Sequence, residues 1–188
     1  RDFCLSRGLG DVYKRQLQVK SPSMNKSIEV VVVSPDVAVT KACPVIYLLH
    51  GYGGNARTWV GIKPDLPKIA DEKGIFFVCP DGKNTWYWDS PLNADVRYET
   101  FISNELVKYV DSHYKTVADR KGRAITGLSM GGHGAMWNGL RHSDVFSAAG
   151  STSGGVDIRP FPKNWEMSVQ IGEKAKYPEN WEKYTVIN

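Results

Sequence analysis

No apolar stretch in this chain approaches the roughly 20 residues that a membrane-spanning helix requires, which excludes a helical span within the given sequence. Cysteine is scarce: Cys4, Cys43 and Cys79 form neither a metal-ligand spacing nor an even set for disulfides. Cys43 and Cys79 border or sit within apolar runs and are expected to pack as small apolar groups. Basic clusters are absent and the net charge is only +4, which argues against a nucleic-acid partner. Neither internal repeats nor low-complexity tracts occur. No metal or organic cofactor is implied.

The 188 residues suit one domain with a sizeable core, and 41% hydrophobic with 23% charged content is ordinary for a globular chain. Residues 1 to 16 show neither helical nor strand periodicity, nor the apolar centre of a signal peptide. They read as a non-native N-terminal scar and are set apart from the fold. The natural N-terminus is therefore unseen, and localisation and oligomeric state stay open.

From Leu17 onward, strand and helix patterns alternate. A hairpin is expected from Leu17–Lys20 and Ser27–Val33, then a buried strand over Pro44–Leu49. A helix over Pro64–Lys73, closed by Gly74, precedes the apolar strand Ile75–Cys79. Phe101, Ile102, Leu106, Tyr109 and Val110 mark a helix over Tyr98–Tyr114. Strand Arg123–Thr126, helix Ser129–Arg141 and strand Phe146–Gly150 follow. This alternation predicts an α/β fold, a mostly parallel sheet covered by helices on both faces. Residues 17–151 form that core, and 152–188, with Pro160, Pro162 and Pro178, read as a lid or insertion.

Gly127-Leu128-Ser129-Met130-Gly131 is a G-x-S-x-G pattern at a predicted strand-to-helix turn. Such a bend exposes the serine hydroxyl, and glycines two positions to either side let strand and helix approach. The first N–H groups of the helix face the same spot and suit an oxyanion. Alone, the pattern could be a tight turn. A second motif weighs against that: the strand Pro44–Leu49 ends in His50-Gly51-Tyr52-Gly53-Gly54, the kind of loop that supplies a second oxyanion donor. Ser129 is the candidate nucleophile, and the backbone N–H groups of Tyr52 and Met130 are the candidate oxyanion donors.

Together, LLHGYGGN, the YWDSP loop, YETF and GLSMGGHGA make residues 17–188 resemble the esterase D branch of the α/β-hydrolases, with its S-formylglutathione hydrolases, tributyrin-type and feruloyl esterases and mycolyltransferases. The resemblance implies a serine carboxylesterase acting through an acyl-enzyme on a short-chain or carbohydrate-linked acyl ester or thioester. It assigns the nucleophile to Ser129 and an oxyanion N–H to Tyr52. Acyl transfer of the mycolyltransferase kind, or a non-catalytic binding domain, are the alternatives. Trp86 and Trp88 could floor a substrate pocket or simply cover the core.

The triad is incomplete. Its order in this superfamily is serine, acid, histidine. Only His133 and His142 follow Ser129, and no Asp or Glu lies between Ser129 and His142. Both histidines read as structural, and His50 as orienting its own loop. Glu99 reads as a first-turn helix charge and Asp81 as a turn former. The chain is therefore expected to be a fragment lacking the last two strands, with the triad acid and histidine, and to hydrolyse esters poorly by itself.

Overall fold

A computed structural model describes residues 14–187. Cys4 and most of the set-apart N-terminal segment lie outside the described residues. Six strands form one mixed sheet: β1 (Lys14–Ser21), β2 (Lys26–Val33), β3 (Val45–Leu49), β4 (Phe76–Pro80), β5 (Arg123–Leu128) and β6 (Ala148–Thr152). Their spatial order is β1-β2-β4-β3-β5-β6. The last four run parallel, and the β1–β2 hairpin joins β4 antiparallel.

The valine-rich run of β2 is buried on both faces. Val30 and Val32 join one apolar cluster, while Val31 and Val33 join another on the opposite side. Helices α1 (Thr58–Ile62) and α2 (Leu66–Lys73) cover the second cluster through Trp59, Leu66 and Ala70. The first lies beneath a helix assembled from α3 (Tyr98–Thr100), a π turn (Phe101–Glu105) and α4 (Leu106–His113), with α5 (Met130–Arg141) beside it. Coverage on both faces is why β3 and β4 carry no charged residue. Cys43 and Cys79 are free and buried, and burial pushes the Cys79 thiol up to about 12.

Several boundaries differ from the sequence expectation. Lys14 to Gln16, assigned to the scar, continue β1 opposite Val31 to Val33, because main-chain pairing needs no apolar side chain there. Helix α1 was not foreseen, since five residues carry too little periodicity. Helix α2 begins at Leu66, not Pro64, and Gly74 closes it at φ 64°. The expected helix over residues 98–114 contains a π turn, which widens one turn so that the neighbours Phe101 and Ile102 are both fully buried. The last strand is Ala148–Thr152, not Phe146–Gly150: the Phe146 N–H still bonds the His142 carbonyl, and its ring packs edge-on against Tyr47.

Among the described residues, β6 is a sheet edge, with Ala148, Ala149, Ser151 and Thr152 exposed. Beyond it, residues 153–187 carry two short helices, α6 (Met167–Ile171) and α7 (Pro178–Lys183). They anchor through buried Met167, Ile171 and Trp181.

Candidate active site

Strand register places the two motifs side by side. β3 and β5 are parallel neighbours, with Leu49 opposite Gly127. Adjacent strands lie about 4.8 Å apart, so the loop after Leu49 and the elbow after Gly127 leave the sheet together. The chain continues from β3 towards β4 and from β5 towards β6, in opposite directions, which opens a crevice at the carboxyl ends of the strands. A Cβ added to Gly51 would lie 3.5 Å from the Cβ of Ser129, so the two loops touch.

Ser129 has φ 54° and ψ −115°, a region that side chains rarely adopt, and its side chain is exposed. Its N–H is tied to the Thr152 carbonyl at 2.8 Å. The flanking glycines are required sterically: a Cβ on Gly127 would lie 2.1 Å from the Gly131 carbonyl oxygen, and one on Gly131 2.1 Å from that of Leu49. Among the described residues, neither the Met130 N–H nor the Tyr52 N–H has an acceptor. Helix α5 adds the positive end of its dipole at the same place.

A cavity of about 230 Å³ opens onto Ser129, with Tyr52 and Trp86 from the core and Gly155, Phe161 and Trp165 from the segment after β6. Four of its lining residues, Trp86, Ser129, Ser153 and Trp165, hold positive φ without being glycine. Such strain collects where geometry is held for function. Another cavity, about 300 Å³, lies beside Phe76 at the amino end of β4 and contains no candidate nucleophile.

The two tryptophans separate. Trp86 lines the cavity and donates from Nε1 to the Trp165 carbonyl at 3.0 Å. Trp88 is wholly buried behind it, stacked on Trp86 and edge-on to His133 and Tyr184, and does not line the cavity. The reason is local: Trp86 and Tyr87 both take left-handed backbone, at φ 58° and 60°, which sets the Trp86 ring at the cavity and the Trp88 ring stacked behind it.

All four histidines are engaged away from the Ser129 hydroxyl. His50 accepts the Gly82 N–H at Nε2, 2.9 Å, which leaves the Nδ1 proton for the Gly51 carbonyl at 2.7 Å. That tautomer braces the loop that carries Gly51 and Tyr52. Nearby, burial raises the Asp81 pKa, but the Lys83 ammonium and N–H oppose it and hold the carboxyl below its ordinary value. Asp81 also accepts the Lys83 N–H at 2.9 Å, the turn expected of it. His133 is fully buried among Trp86, Trp88 and Trp137, with Nδ1 donating to the Gly155 carbonyl at 2.8 Å. Burial lowers its pKa to about 4, against the opposing pull of that carbonyl.

His142 caps the far end of α5, 13 residues and about 20 Å from Ser129. There Nε2 donates to Glu99 Oε1 at 2.8 Å. Glu99 is thus more than a first-turn charge: it is buried and also accepts from Trp137 and Arg141. His113 stacks on Tyr109 at the end of α4.

Sequence reasoning missed Asn84, Glu166, Gly155 and Phe161. No spacing rule links them to the serine. Among the described residues, no helix is long and apolar enough to cross a membrane.

Esterase Rv1288 of Mycobacterium tuberculosis (strain ATCC 25618 / H37Rv) is 29% identical over 77% of this chain, and the match spans 32% of that protein. The chain thus spans about a third of its relative. A solved ferulic acid esterase is 29% identical with a TM-score of 0.73, covering 92% of this chain and 70% of its own. An S-formylglutathione hydrolase from Agrobacterium tumefaciens, at 22% identity and TM-score 0.76, covers 92% and 68% and shares the fold. The family described as "Putative esterase" matches residues 21–186, from the end of β1 through the last buried turn. With its parallel core, its strained serine turn and its glycine-rich loop after β3 on one sheet, the chain belongs to this esterase family, in the esterase D-like part of the α/β-hydrolases.

Proposed function

We propose that the chain carries the nucleophile and oxyanion hole of a serine carboxylesterase. One observation carries this reading: an exposed serine on strained backbone, beside two main-chain N–H groups without acceptors. Ser129 Oγ attacks the ester carbonyl carbon and its proton passes to a base. The carbonyl oxygen becomes an oxyanion held by the Tyr52 and Met130 N–H groups. Collapse expels the alcohol, which takes the proton, and water releases the acid from the acyl-enzyme. Each oxyanion donor contributes about 3 kcal/mol in enzymes of this kind.

The base is not among the four histidines, each of which is held elsewhere. On this reading, the base and its carboxylate are supplied by groups other than those of the described residues. Substrates are short-chain or carbohydrate-linked acyl esters. The aromatic cavity wall of Trp86, Phe161 and Trp165 and the ferulic acid esterase likeness support an aromatic or sugar-linked ester.

The test uses the complete protein with 4-nitrophenyl acetate and methyl ferulate. Ser129→Ala is expected to lower kcat by about 10⁴-fold or more, and the 188-residue chain to turn over little. Retained turnover in Ser129→Ala refutes the nucleophile. Turnover by the 188-residue chain, lost in Ser129→Ala, refutes an external base. Acyl transfer to an added sugar alcohol in preference to water replaces hydrolysis by transfer.

A further inference from the structure

The oxyanion loop and the segment after β6 meet through one side chain. Asn84 Oδ1 accepts the Gly53 N–H at 2.9 Å, and Asn84 Nδ2 donates to Glu166 Oε2 at 2.9 Å. The Tyr52 side chain faces the same Glu166 carboxylate. Next to this bridge, Trp165 offers its carbonyl to Trp86 Nε1. Trp165 and Glu166 are consecutive non-glycine residues with φ 50° and 54°, and Lys83, beside Asn84, has φ 50°. Strain of this sort costs about 1–3 kcal/mol per residue and persists only where neighbours enforce it.

We propose that Asn84 is a positioning residue which couples seating of the 153–167 segment over the cavity to the shape of the oxyanion loop. The inference rests on reading the Tyr52 N–H as an oxyanion donor. The Gly53 N–H belongs to the next peptide along, so anchoring it fixes the direction of the Tyr52 amide. The amide side chain serves both partners at once, because Gly53 needs an acceptor and Glu166 needs a donor. With the segment lifted, Asn84 loses Glu166 and the loop loses its brace. The oxyanion hole is then well formed only when the cavity is covered.

Two arms test this. In amide exchange on the complete protein, Glu166→Ala is expected to accelerate exchange at Gly53, which Glu166 does not touch, about fivefold. Amides of β3 should be unchanged, which separates the effect from unfolding. In the complete protein, Asn84→Asp keeps an acceptor for Gly53 but sets two carboxylates face to face. It should lower kcat about tenfold or more with KM unchanged, and adding Glu166→Gln should restore kcat to within about twofold, because the new amide donates to the new carboxylate.

If Asn84 merely holds Gly53, Asn84→Asp stays within about twofold of wild type and Glu166→Gln rescues nothing. Either result overturns the coupling. If the wild-type protein hydrolyses no ester, the esterase reading fails by itself, and Gly53 exchange alone decides the coupling: acceleration supports it and unchanged exchange refutes it.

Discussion

Helix α5 ends in polar residues on both sides, yet the two ends are built oppositely. At the C-terminal end, Arg141 Nε and His142 Nε2 reach Glu99 Oε1 at 3.0 and 2.8 Å, and Trp137 Nε1 reaches Oε2 at 2.8 Å. The Arg141 guanidinium also lies 4.5 Å over the Trp137 ring. Burial raises the pKa of Glu99, but the donors from Trp137, Arg141 and His142 outweigh it, so the carboxylate stays charged. At the N-terminal end, the Met130 N–H has no acceptor among the described residues and follows backbone strained at Ser129. One end has its hydrogen-bonding capacity engaged in holding the helix; the other leaves a donor without a protein acceptor, as the proposed oxyanion role requires. The helix dipole suits both, favouring cations at the first and an oxyanion at the second.

The largest effect expected along this helix comes from His133, one turn in from the elbow. Its folded pKa is about 4, against an ordinary value of 6.5. Between those values the unfolded chain binds the extra proton, so stability is complete above pH 6.5 and falls as pH drops towards 4, by about 3 kcal/mol. Urea denaturation at pH 7, 5.5 and 4.5 should show this, and His133→Gln should flatten it. An unchanged slope would mean that the imidazole is not held neutral. The Asp81 contribution is lost lower, as pH falls from 3.8 through 2.

Glu99→Ala comes next. It strands three donors and should cost about 2 kcal/mol, with kcat of the complete protein unchanged. A selective loss of kcat would erase the distinction between a structural end and a chemical one. Smallest is Ser129→Gly, which removes the proposed nucleophile and relieves the positive φ, and should raise stability by about 1 kcal/mol. A loss of stability instead would show that the elbow stores no strain.

Sequence alone determined the features that rest on short-range chemistry. Glycines at 127 and 131 flank the serine because a Cβ at either would strike backbone. Strands β3 and β4 were legible because burial on both faces leaves no charged position in them. The order of the two loop motifs followed from their place at strand ends.

Only the tertiary structure decided pairings between distant residues. Asn84 and Glu166 stand 82 residues apart, and Glu99 and His142 stand 43 apart. Trp86 and Trp88 looked interchangeable, yet left-handed backbone at Trp86 and Tyr87 sends one ring to the cavity and the other to the core. Such backbone states are enforced by packing against segments far along the chain, which no local pattern encodes.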